Sequence, residues 1–283
     1  FKGYYKVGFE PSGSVHKLAK SKGIKSINDF FNYKSIKPYI KKKIKFDVIV
    51  GSNVICHIPD QVNLIKNFDK IISKNGYIIF EEPYLGSMYK KVSYDQIYDE
   101  HIYMFSVSSI NKIYKSFGFK LVDAIPQNTH GGSMRYIISK NSDQKISNRL
   151  KKIFKNEKKF NIDSFKGCKI FKNKVEKSKV NLINKIKKMK REGLKICGYG
   201  ATSKSTTILN YCKIGPRLID CIFDTTPDKI NKYSPGMHIP IVDYKNFKKS
   251  NYKKIFLFAW NHKKEILKKE KSKKNIQWFS HLS

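Results

Sequence analysis

Residues 46–83, FDVIVGSNVICHIPDQVNLIKNFDKIISKNGYIIFEEP, decide the fold. The segment FDVIVGSNV (46–54) is nearly continuously apolar, which is typical of a strand buried on both faces of a parallel sheet. DQVNLIKNFDKIISK has apolar residues at helical spacing and is closed by Asn75 and Gly76. YIIFEEP (77–83) then predicts the next strand. Strand, helix and strand in this order indicate an α/β fold.

The same alternation continues toward both ends of the chain. YKVGFE (5–10) predicts a short strand, and a Pro-Ser-Gly turn leads into a helix near residues 14–22. Toward the C-terminus, a second strand-helix series predicts another small α/β domain. Its strands are LKICGYG (194–200), LIDCIFD (218–224) and KIFLFAW (254–260).

Residues 141–192 separate the two series and are rich in lysine. Phe and Ile recur there at helical spacing, which predicts one or two long surface helices; a coiled coil or disorder is less favoured. We therefore expect a first domain over residues 1–140, a helical linker over 141–192 and a second domain over 193–283.

The formal net charge is +36 over 283 residues. Such a charge is common in nucleic-acid-binding proteins. Only four of the 58 basic residues are Arg, however, and Arg is the usual bidentate ligand of phosphate and guanine. Composition bias therefore explains the lysines better than a nucleic-acid surface does, and we expect no nucleic-acid partner. A positive field would still attract an acidic small molecule such as a sugar nucleotide.

The chain is expected to be a soluble, cytoplasmic protein cut from a longer one. No apolar run approaches the roughly 20 residues of a membrane-spanning helix, and the start, FKGYYKVGFE, has neither a Met nor a signal-peptide layout. The five cysteines include no C-x-x-C pair, so neither a metal site nor a disulfide framework is indicated. They are Cys56, Cys168, Cys197, Cys212 and Cys221.

Polar residues follow the first two predicted strands, where ligands bind in nucleotide-type α/β folds. Glu10 ends its strand and could accept hydrogen bonds from ribose hydroxyls; the alternative is a helix-capping acid beside Pro11 and Ser12. Asn53 and His57 follow the second strand. A single histidine at such a position is also compatible with a purely structural role.

Two later segments combine titratable and aromatic side chains. HGGSMR places His130 beside Gly131 and Gly132. YDQIYDEHIYMFS groups five candidates within ten residues: Tyr94, Tyr98, Glu100, His101 and Tyr103. Tyrosine, carboxylate and imidazole together suit the removal of a proton next to a carbonyl and stabilisation of the enolate oxygen. Packing of an aromatic-rich loop is the alternative.

A series of motifs resembles the sugar C-methyltransferases that make branched deoxysugars. The resemblance extends from residue 5 to about residue 270. The motifs are GFEPS, NVICHI, PYLGSMYKKVSYDQIYDEH, FSVSSI, HGGSMR, ICGYGATSKSTTILNY, FDTTPDK, PGMHIPI and FLFAWNHKKEI, in this order.

This resemblance implies a zinc-binding N-terminal module, a central methyltransferase domain and a C-terminal Rossmann-like domain. The zinc module, the first strand and its glycine-rich turn would be missing here, with zinc confined to that module. The expected fold is therefore a truncated class I (Rossmann-like) methyltransferase domain followed by a second small Rossmann-like α/β domain.

The resemblance also implies roles for the cofactor side. Glu10, with Pro11 and Ser12, would bind the ribose of S-adenosylmethionine, and Asn53 would lie in the loop that lines this cofactor.

On the substrate side, the expected ligand is a nucleotide-diphosphate deoxyketosugar. His101 is the expected base that removes a proton from the carbon to be methylated, with Tyr98 and His57 as donors to the enolate oxygen. Glu100 would orient His101 or bind a sugar hydroxyl. Four further residues are expected in the pocket: Tyr94, His130, Gly131 and Gly132.

The C-terminal motif GYGATSK contains Gly198 and Gly200 between a strand and a helix. Asp224 ends the next strand, as in a dinucleotide-binding fold, but Ser203 replaces the third glycine and weakens an NAD hypothesis. The turn could instead bind the sugar nucleotide's diphosphate with help from Lys204, or be purely structural. His238 and His262 are expected to serve local structure.

Three functional hypotheses remain open. The first is an active methyltransferase, the second a folded remnant deficient in cofactor binding, and the third an NAD-dependent nucleotide-sugar oxidoreductase. The sequence makes no prediction of the nucleotide, the sugar, the methylated carbon or the oligomeric state.

Overall fold

The computed structural model describes residues 3–282 and has a mixed α/β fold. Two compact units are present, and neither is continuous in the sequence. Unit 1 contains the described residues up to Glu82, with Val107–Ile125 and Arg135–Ile153. Unit 2 contains Pro83–Ser106, Pro126–Met134 and the described residues from Phe154 onward. The domain boundaries expected at residues 140 and 192 stay predictions.

The first part of the chain contains six strands and five helices of the α type among the described residues. In chain order they are β1 (Gly8–Phe9), α1 (Gly13–Ser21), β2 (Ser26–Ile27), α2 (Tyr33–Lys41), β3 (Phe46–Ser52), α3 (Gln61–Ile71), β4 (Ile72–Pro83), α4 (Leu85–Lys91), α5 (Val107–Lys115), β5 (Lys120–Gln127) and β6 (Ser133–Ser139).

β1 and β2 pair in parallel as a separate two-stranded sheet, and a second sheet has the order β3-β4-β6-β5. β3 and β4 are parallel, with Val48 opposite Tyr77 and Ser52 opposite Glu81. The strand, helix and strand predicted over residues 46–83 are therefore confirmed. The expected burial of the first strand on both faces was wrong, because β3 lies at the edge of its sheet and leaves Val48 49% and Val50 74% exposed.

Two predicted boundaries in this region were wrong. α3 ends at Ile71 rather than at Asn75 and Gly76, because Ile72 already pairs with Phe46 across the sheet. The first strand contains only Gly8 and Phe9.

The core of unit 1 is built from apolar residues on alternate positions of β4 and on one face of α3. Phe80 of β4 lies 5.8 Å from the ring of Tyr114 and 5.1 Å from that of Tyr136. α3 begins at the cap residue Asp60, whose carboxylate accepts a hydrogen bond from the backbone N–H of Asn63 at 2.9 Å. It buries Leu64, Ile65, Phe68 and Ile71.

The second part of the chain begins with two helices and continues as a strand-helix series. The elements are α6 (Asn148–Phe160), α7 (Phe165–Arg191), β7 (Ile196–Tyr199), α8 (Ser203–Cys212), β8 (Ile222–Asp224), β9 (Ile241–Asp243), α9 (Lys245–Lys249), β10 (Lys254–Leu257), α10 (Lys263–Lys269) and β11 (Gln277–Phe279). One or two long helices were predicted here and two are present, and the predicted second α/β series is confirmed.

The five strands β7 to β11 form one parallel sheet in unit 2, in the order β11-β10-β7-β8-β9. The chain runs outward from β7 in one direction and later returns to β10 on the other side. Strand order therefore switches between β7 and β10, and ligands of open α/β sheets bind beyond the carboxyl ends of strands at such a point. α7 buries Val175, Leu182, Ile186 and Met189 in the unit 2 core.

None of the helices within residues 3–282 combines the length and apolar character needed to cross a membrane.

Candidate active site

Glu10 follows β1 and belongs to unit 1. One carboxylate oxygen accepts a hydrogen bond from the backbone N–H of Ser12 at 2.8 Å, and the backbone carbonyl accepts one from Asn28 at 2.9 Å. Pro11 and Ser12 are exposed between β1 and α1. The half-buried acid thus stands at the carboxyl end of a strand, which fits the predicted role toward ribose. The cap residue of α1 is Ser12, so Glu10 holds the turn before the helix and does not cap the helix itself.

Asn53 lies directly after β3 in a left-handed conformation with a φ of 51°. Its backbone N–H donates to the carbonyl of Glu81 at 2.8 Å. Asn adopts this conformation more readily than most residues, which explains the chain reversal at this point. His57 ends the short 3-10 helix Ile55–His57, and its backbone N–H donates to Val54 at 3.1 Å.

Glu82 near the end of β4 was not identified from the sequence. It is fully buried, and one carboxylate oxygen accepts hydrogen bonds from the backbone N–H groups of Val54 at 3.0 Å and Ile55 at 2.7 Å. Burial raises the pKa of Glu82, and burial together with this neighbouring carboxylate raises the pKa of the Cys56 thiol. Glu82 therefore stabilises the loop that carries Asn53 and His57.

The segment from Ser93 to Gln96 in unit 2 is buried throughout. The hydroxyl of Tyr94 lies 3.6 Å from the Cys212 sulfur, and its ring contacts Tyr211 and His281 edge to face. Burial is the main reason why the pKa of Tyr94 is raised, with Cys212 adding to it. These contacts favour a packing role for Tyr94 over the predicted contact with substrate.

His101 is oriented by the chain just before it. Its Nδ1 lies 2.8 Å from the carbonyl oxygen of Gln96, and its ring lies 4.0 Å from that of Tyr98 at an interplanar angle of 32°. A carbonyl can only accept a hydrogen bond, so Nδ1 carries the proton in the neutral ring and the lone pair is on Nε2. That tautomer is suited to general-base chemistry. Glu100 is exposed beside it.

The HGGSMR turn has an unusual backbone. His130, Gly131 and Gly132 have φ values of 51°, 89° and 126°. A Cβ at Gly131 would lie 2.1 Å from Cη2 of Trp260, so this glycine is required by conformation and by close contact. The ammonium of Lys91 donates to the Gly131 carbonyl at 2.5 Å. The His130 side chain is exposed.

The glycines of GYGATSK have structural explanations of their own. A Cβ at Gly198 would lie 2.5 Å from Phe258, and Gly200 has a φ of 91°. The carboxylate of Asp224 accepts hydrogen bonds from the backbone N–H groups of Ala201 at 2.6 Å and Thr226 at 2.8 Å. The acid that would bind a dinucleotide ribose is therefore engaged by the turn itself.

Lys204 lies in the first turn of α8, which begins at the cap residue Thr202. Burial lowers the pKa of Lys204, and the negative charge of Asp95 opposes this shift. Its ammonium lies 5.7 Å from the centre of the Trp260 ring. A partly desolvated cation at the switch in strand order would attract an anionic ligand.

Asp95, Trp260 and His281 were also not assigned roles from the sequence. Asp95 is fully buried, and its two carboxylate oxygens lie 2.5 Å from Nε1 of Trp260 and 3.2 Å from Nε2 of His281. Trp260 follows β10, and in the sequence it is the last residue of the predicted strand KIFLFAW, which was the available indication. His281 lies far from Asp95 in the sequence, and no sequence motif around it indicated a role.

The structure thus distributes the predicted residues between the two units. Glu10, Asn53 and His57 belong to unit 1. The remaining substrate-side candidates all belong to unit 2: Tyr94, Tyr98, Glu100, His101, His130, Gly131, Gly132, Gly198, Gly200 and Lys204.

Two family models match the sequence. One is described as C-methyltransferase C-terminal domain and matches residues 128–281, more than half of the chain. The other is described as Methyltransferase domain and matches residues 2–124. The C-methyltransferase NovU of Streptomyces niveus is 25% identical over 266 residues, which are 94% of this chain and 63% of that protein. The chain therefore spans less than two thirds of this relative's length.

Solved structures show a weaker similarity. A SAM-dependent methyltransferase from Thermotoga maritima, described as a possible histamine N-methyltransferase, is 18% identical over 48% of this chain and 73% of its own, with a TM-score of 0.37. The N-methyltransferase NodS from Bradyrhizobium japonicum, in complex with S-adenosyl-L-homocysteine, is 11% identical over 48% and 66%, with a TM-score of 0.34. Similarity at this level says nothing about substrate or mechanism.

Proposed function

Because the chain belongs to the C-methyltransferase family through its C-terminal domain, we propose that it takes part in S-adenosylmethionine-dependent methylation of carbon. The proposed substrate is a nucleotide-linked deoxyketosugar, methylated next to its ketone. The carrying observation is the hydrogen bond from Nδ1 of His101 to the Gln96 carbonyl, since it leaves Nε2 as the basic nitrogen.

In the proposed mechanism, Nε2 of His101 removes a proton from the carbon next to the ketone. Negative charge then develops on the ketone oxygen, and the Tyr98 hydroxyl is the proposed donor to it, since its ring lies 4.0 Å from that of His101. S-adenosylmethionine, when bound, supplies an electrophilic methyl group. Glu100 would bind a sugar hydroxyl, and His57 keeps its proposed role as a donor. Lys204 is the proposed contact for a phosphate, because it is a partly desolvated cation.

The residues of unit 1 fit the cofactor in part. Glu10 offers a carboxylate at the carboxyl end of β1, which suits ribose hydroxyls, and Asn53 follows the carboxyl end of β3. The space between β1 and β3, however, is an apolar cavity of about 320 Å³. Its lining includes Phe9, Val48 and Val50, none of which can pair with the charged groups of the cofactor. This cavity supports the alternative proposal that the chain by itself binds the cofactor weakly.

Calorimetric titration distinguishes these proposals from an NAD-dependent enzyme. S-adenosylhomocysteine and NAD would each be titrated into the chain. We expect S-adenosylhomocysteine to bind and Glu10→Gln to weaken it, with little heat from NAD because Asp224 is engaged by the turn. Absence of S-adenosylhomocysteine binding would support the cofactor-deficient alternative. Tight binding of NAD alone would contradict both proposals.

Deuterium exchange tests the base without requiring the cofactor. The probe is dTDP-4-keto-6-deoxyglucose in D₂O. We expect the hydrogen on the carbon next to the ketone to exchange for deuterium, and proton NMR measures the loss of its signal. His101→Gln should slow it by about 10²-fold to 10⁴-fold, the usual contribution of a general base. His262→Gln, which changes an exposed histidine of the same unit, is the matched control. Exchange at the normal rate in His101→Gln would remove His101 as the base.

A further inference from the structure

Three segments of unit 2 that the sequence assigned to the substrate meet at one tryptophan. The Nε1–H of Trp260 donates to Asp95 of the YDQIYDEH segment at 2.5 Å. The indole ring lies against Gly131 of HGGSMR, where a Cβ would approach it to 2.1 Å. The ammonium of Lys204 from GYGATSK lies 5.7 Å from the ring centre.

Asp95 is the polar centre of this arrangement. Its carboxylate has no exposed surface, and both oxygens are engaged, one by Trp260 and the other by His281 at 3.2 Å. An indole nitrogen can only donate, so it needs an acceptor, and the carboxylate of Asp95 is that acceptor. A buried carboxylate bound by two donors restricts the turn that carries it far more than a solvated one does.

The turn at Asp95 leads directly to His101. Gln96, the next residue, is 2% exposed, and its side-chain amide donates to the Ser93 hydroxyl at 2.7 Å. Its carbonyl, held in this buried turn, accepts the hydrogen bond from Nδ1 of His101 at 2.8 Å. A shift of Asp95 would therefore move the group that selects the tautomer of His101.

We propose that Asp95 and Trp260 are positioning residues that hold the Gln96 carbonyl in place and thereby set the tautomer and orientation of His101. Neither residue touches the reacting atoms in this proposal. Their effect on catalysis rests on the proposed function, whereas their effect on the His101 ring does not. The experiment therefore begins with the ring.

Nuclear magnetic resonance of the chain labelled with ¹⁵N in histidine measures the tautomer directly. The chain has seven histidines, and the His101 signals are identified by their loss in His101→Gln. We expect the neutral ring of the unaltered chain to be protonated at Nδ1. Trp260→Phe removes the indole donor and keeps an aromatic ring, and Asp95→Asn removes the charge with little change in shape. Each should change the tautomer ratio by about twofold to tenfold, the range for one hydrogen bond.

Two matched variants in the same unit control for a general loss of stability. Glu270→Gln changes another buried carboxylate, 3% exposed, which accepts hydrogen bonds from Tyr199 at 2.9 Å and Tyr244 at 2.6 Å. Trp278→Phe changes a half-buried tryptophan of β11. Both controls should leave the His101 tautomer ratio unchanged. If Asp95→Asn does not fold, Trp260→Phe decides the result.

An unchanged tautomer ratio in folded Trp260→Phe overturns the proposal, as does an equal change in Trp278→Phe. Deuterium exchange adds a second measurement: Trp260→Phe should lower kcat at least in proportion to the fraction of neutral His101 rings protonated at Nδ1, with KM for the sugar nucleotide within about twofold. A changed tautomer in a chain that catalyses no exchange would leave the positioning role intact and count against the proposed function alone.

Discussion

The buried carboxylates Glu82 and Asp95 each hold a loop, but they do so with different partners. Glu82 of unit 1 accepts hydrogen bonds from the backbone N–H groups of Val54 and Ile55, which any residue except proline could supply. Asp95 of unit 2 accepts from the side chains of Trp260 and His281. A loop held by backbone groups tolerates substitution of its partners, whereas one held by side chains depends on their identity.

The strands beside the two groups of candidate residues differ in how well they are covered. Val50 of β3 is 74% exposed at the edge of its sheet, whereas the β10 residues Ile255 and Phe256 in the middle of theirs are fully buried. The candidate residues of unit 1 thus stand beside a loosely covered strand, and those of unit 2 surround a tightly packed tryptophan. The following substitutions test this difference.

The largest effect is expected at Gly131. Gly131→Ala combines strain at a φ of 89° with a contact of 2.1 Å to Trp260, and should lower the unfolding free energy by about 3–5 kcal/mol. Gly118→Ala in unit 1 has a φ of 74° but nothing within 4 Å, so it should cost only about 1–2 kcal/mol. Urea denaturation measures both. Equal losses would mean that the space at Trp260 is not restricted.

An intermediate effect is expected from Glu82→Gln, and it should depend on pH. Because burial raises the pKa of Glu82, the folded state holds this proton more tightly than the unfolded chain does. The carboxylate therefore destabilises the fold progressively as pH rises from about 4.3, the unfolded value, through the folded pKa. The glutamine variant lacks this loss, so its unfolding free energy should rise with pH relative to that of the unaltered chain. The full rise is about 1.4 kcal/mol for each unit by which the folded pKa of Glu82 exceeds the unfolded pKa.

Denaturation at pH 4, 6 and 8 provides this comparison. Glu192→Gln, at an exposed side chain directly after α7, should show no such trend. A difference between the Glu82 variant and the unaltered chain that stays constant with pH would show that this carboxyl does not titrate differently in the folded state.

The smallest effect is expected at the exposed edge of β3. Val50→Thr keeps the β-branched shape and should change the unfolding free energy by less than about 0.5 kcal/mol. Val107→Thr, at a position with no exposed surface, should cost about 1–3 kcal/mol because it buries a hydroxyl. Thermal denaturation distinguishes the two. A large loss from Val50→Thr would indicate that this edge is covered in solution.

Much of the architecture followed from local patterns. Apolar strands, helical spacing and capping residues predicted the elements of both series, because these preferences act over a few neighbouring residues. The boundary between α3 and β4 was misplaced, since Ile72 joins the sheet through its pairing with Phe46, a long-range contact. The candidate site was predicted as a set of motifs, and the roles of its residues stay predictions.

The sequence by itself determined the alternation of strands and helices, the family and the short motifs that carry polar residues at strand ends. Only the tertiary structure decided which of these residues are held in place, and by what. Asp95 lies more than 160 residues before both Trp260 and His281 in the sequence. No local pattern connects them, because burial and hydrogen-bond pairing between distant residues arise only when the chain has folded.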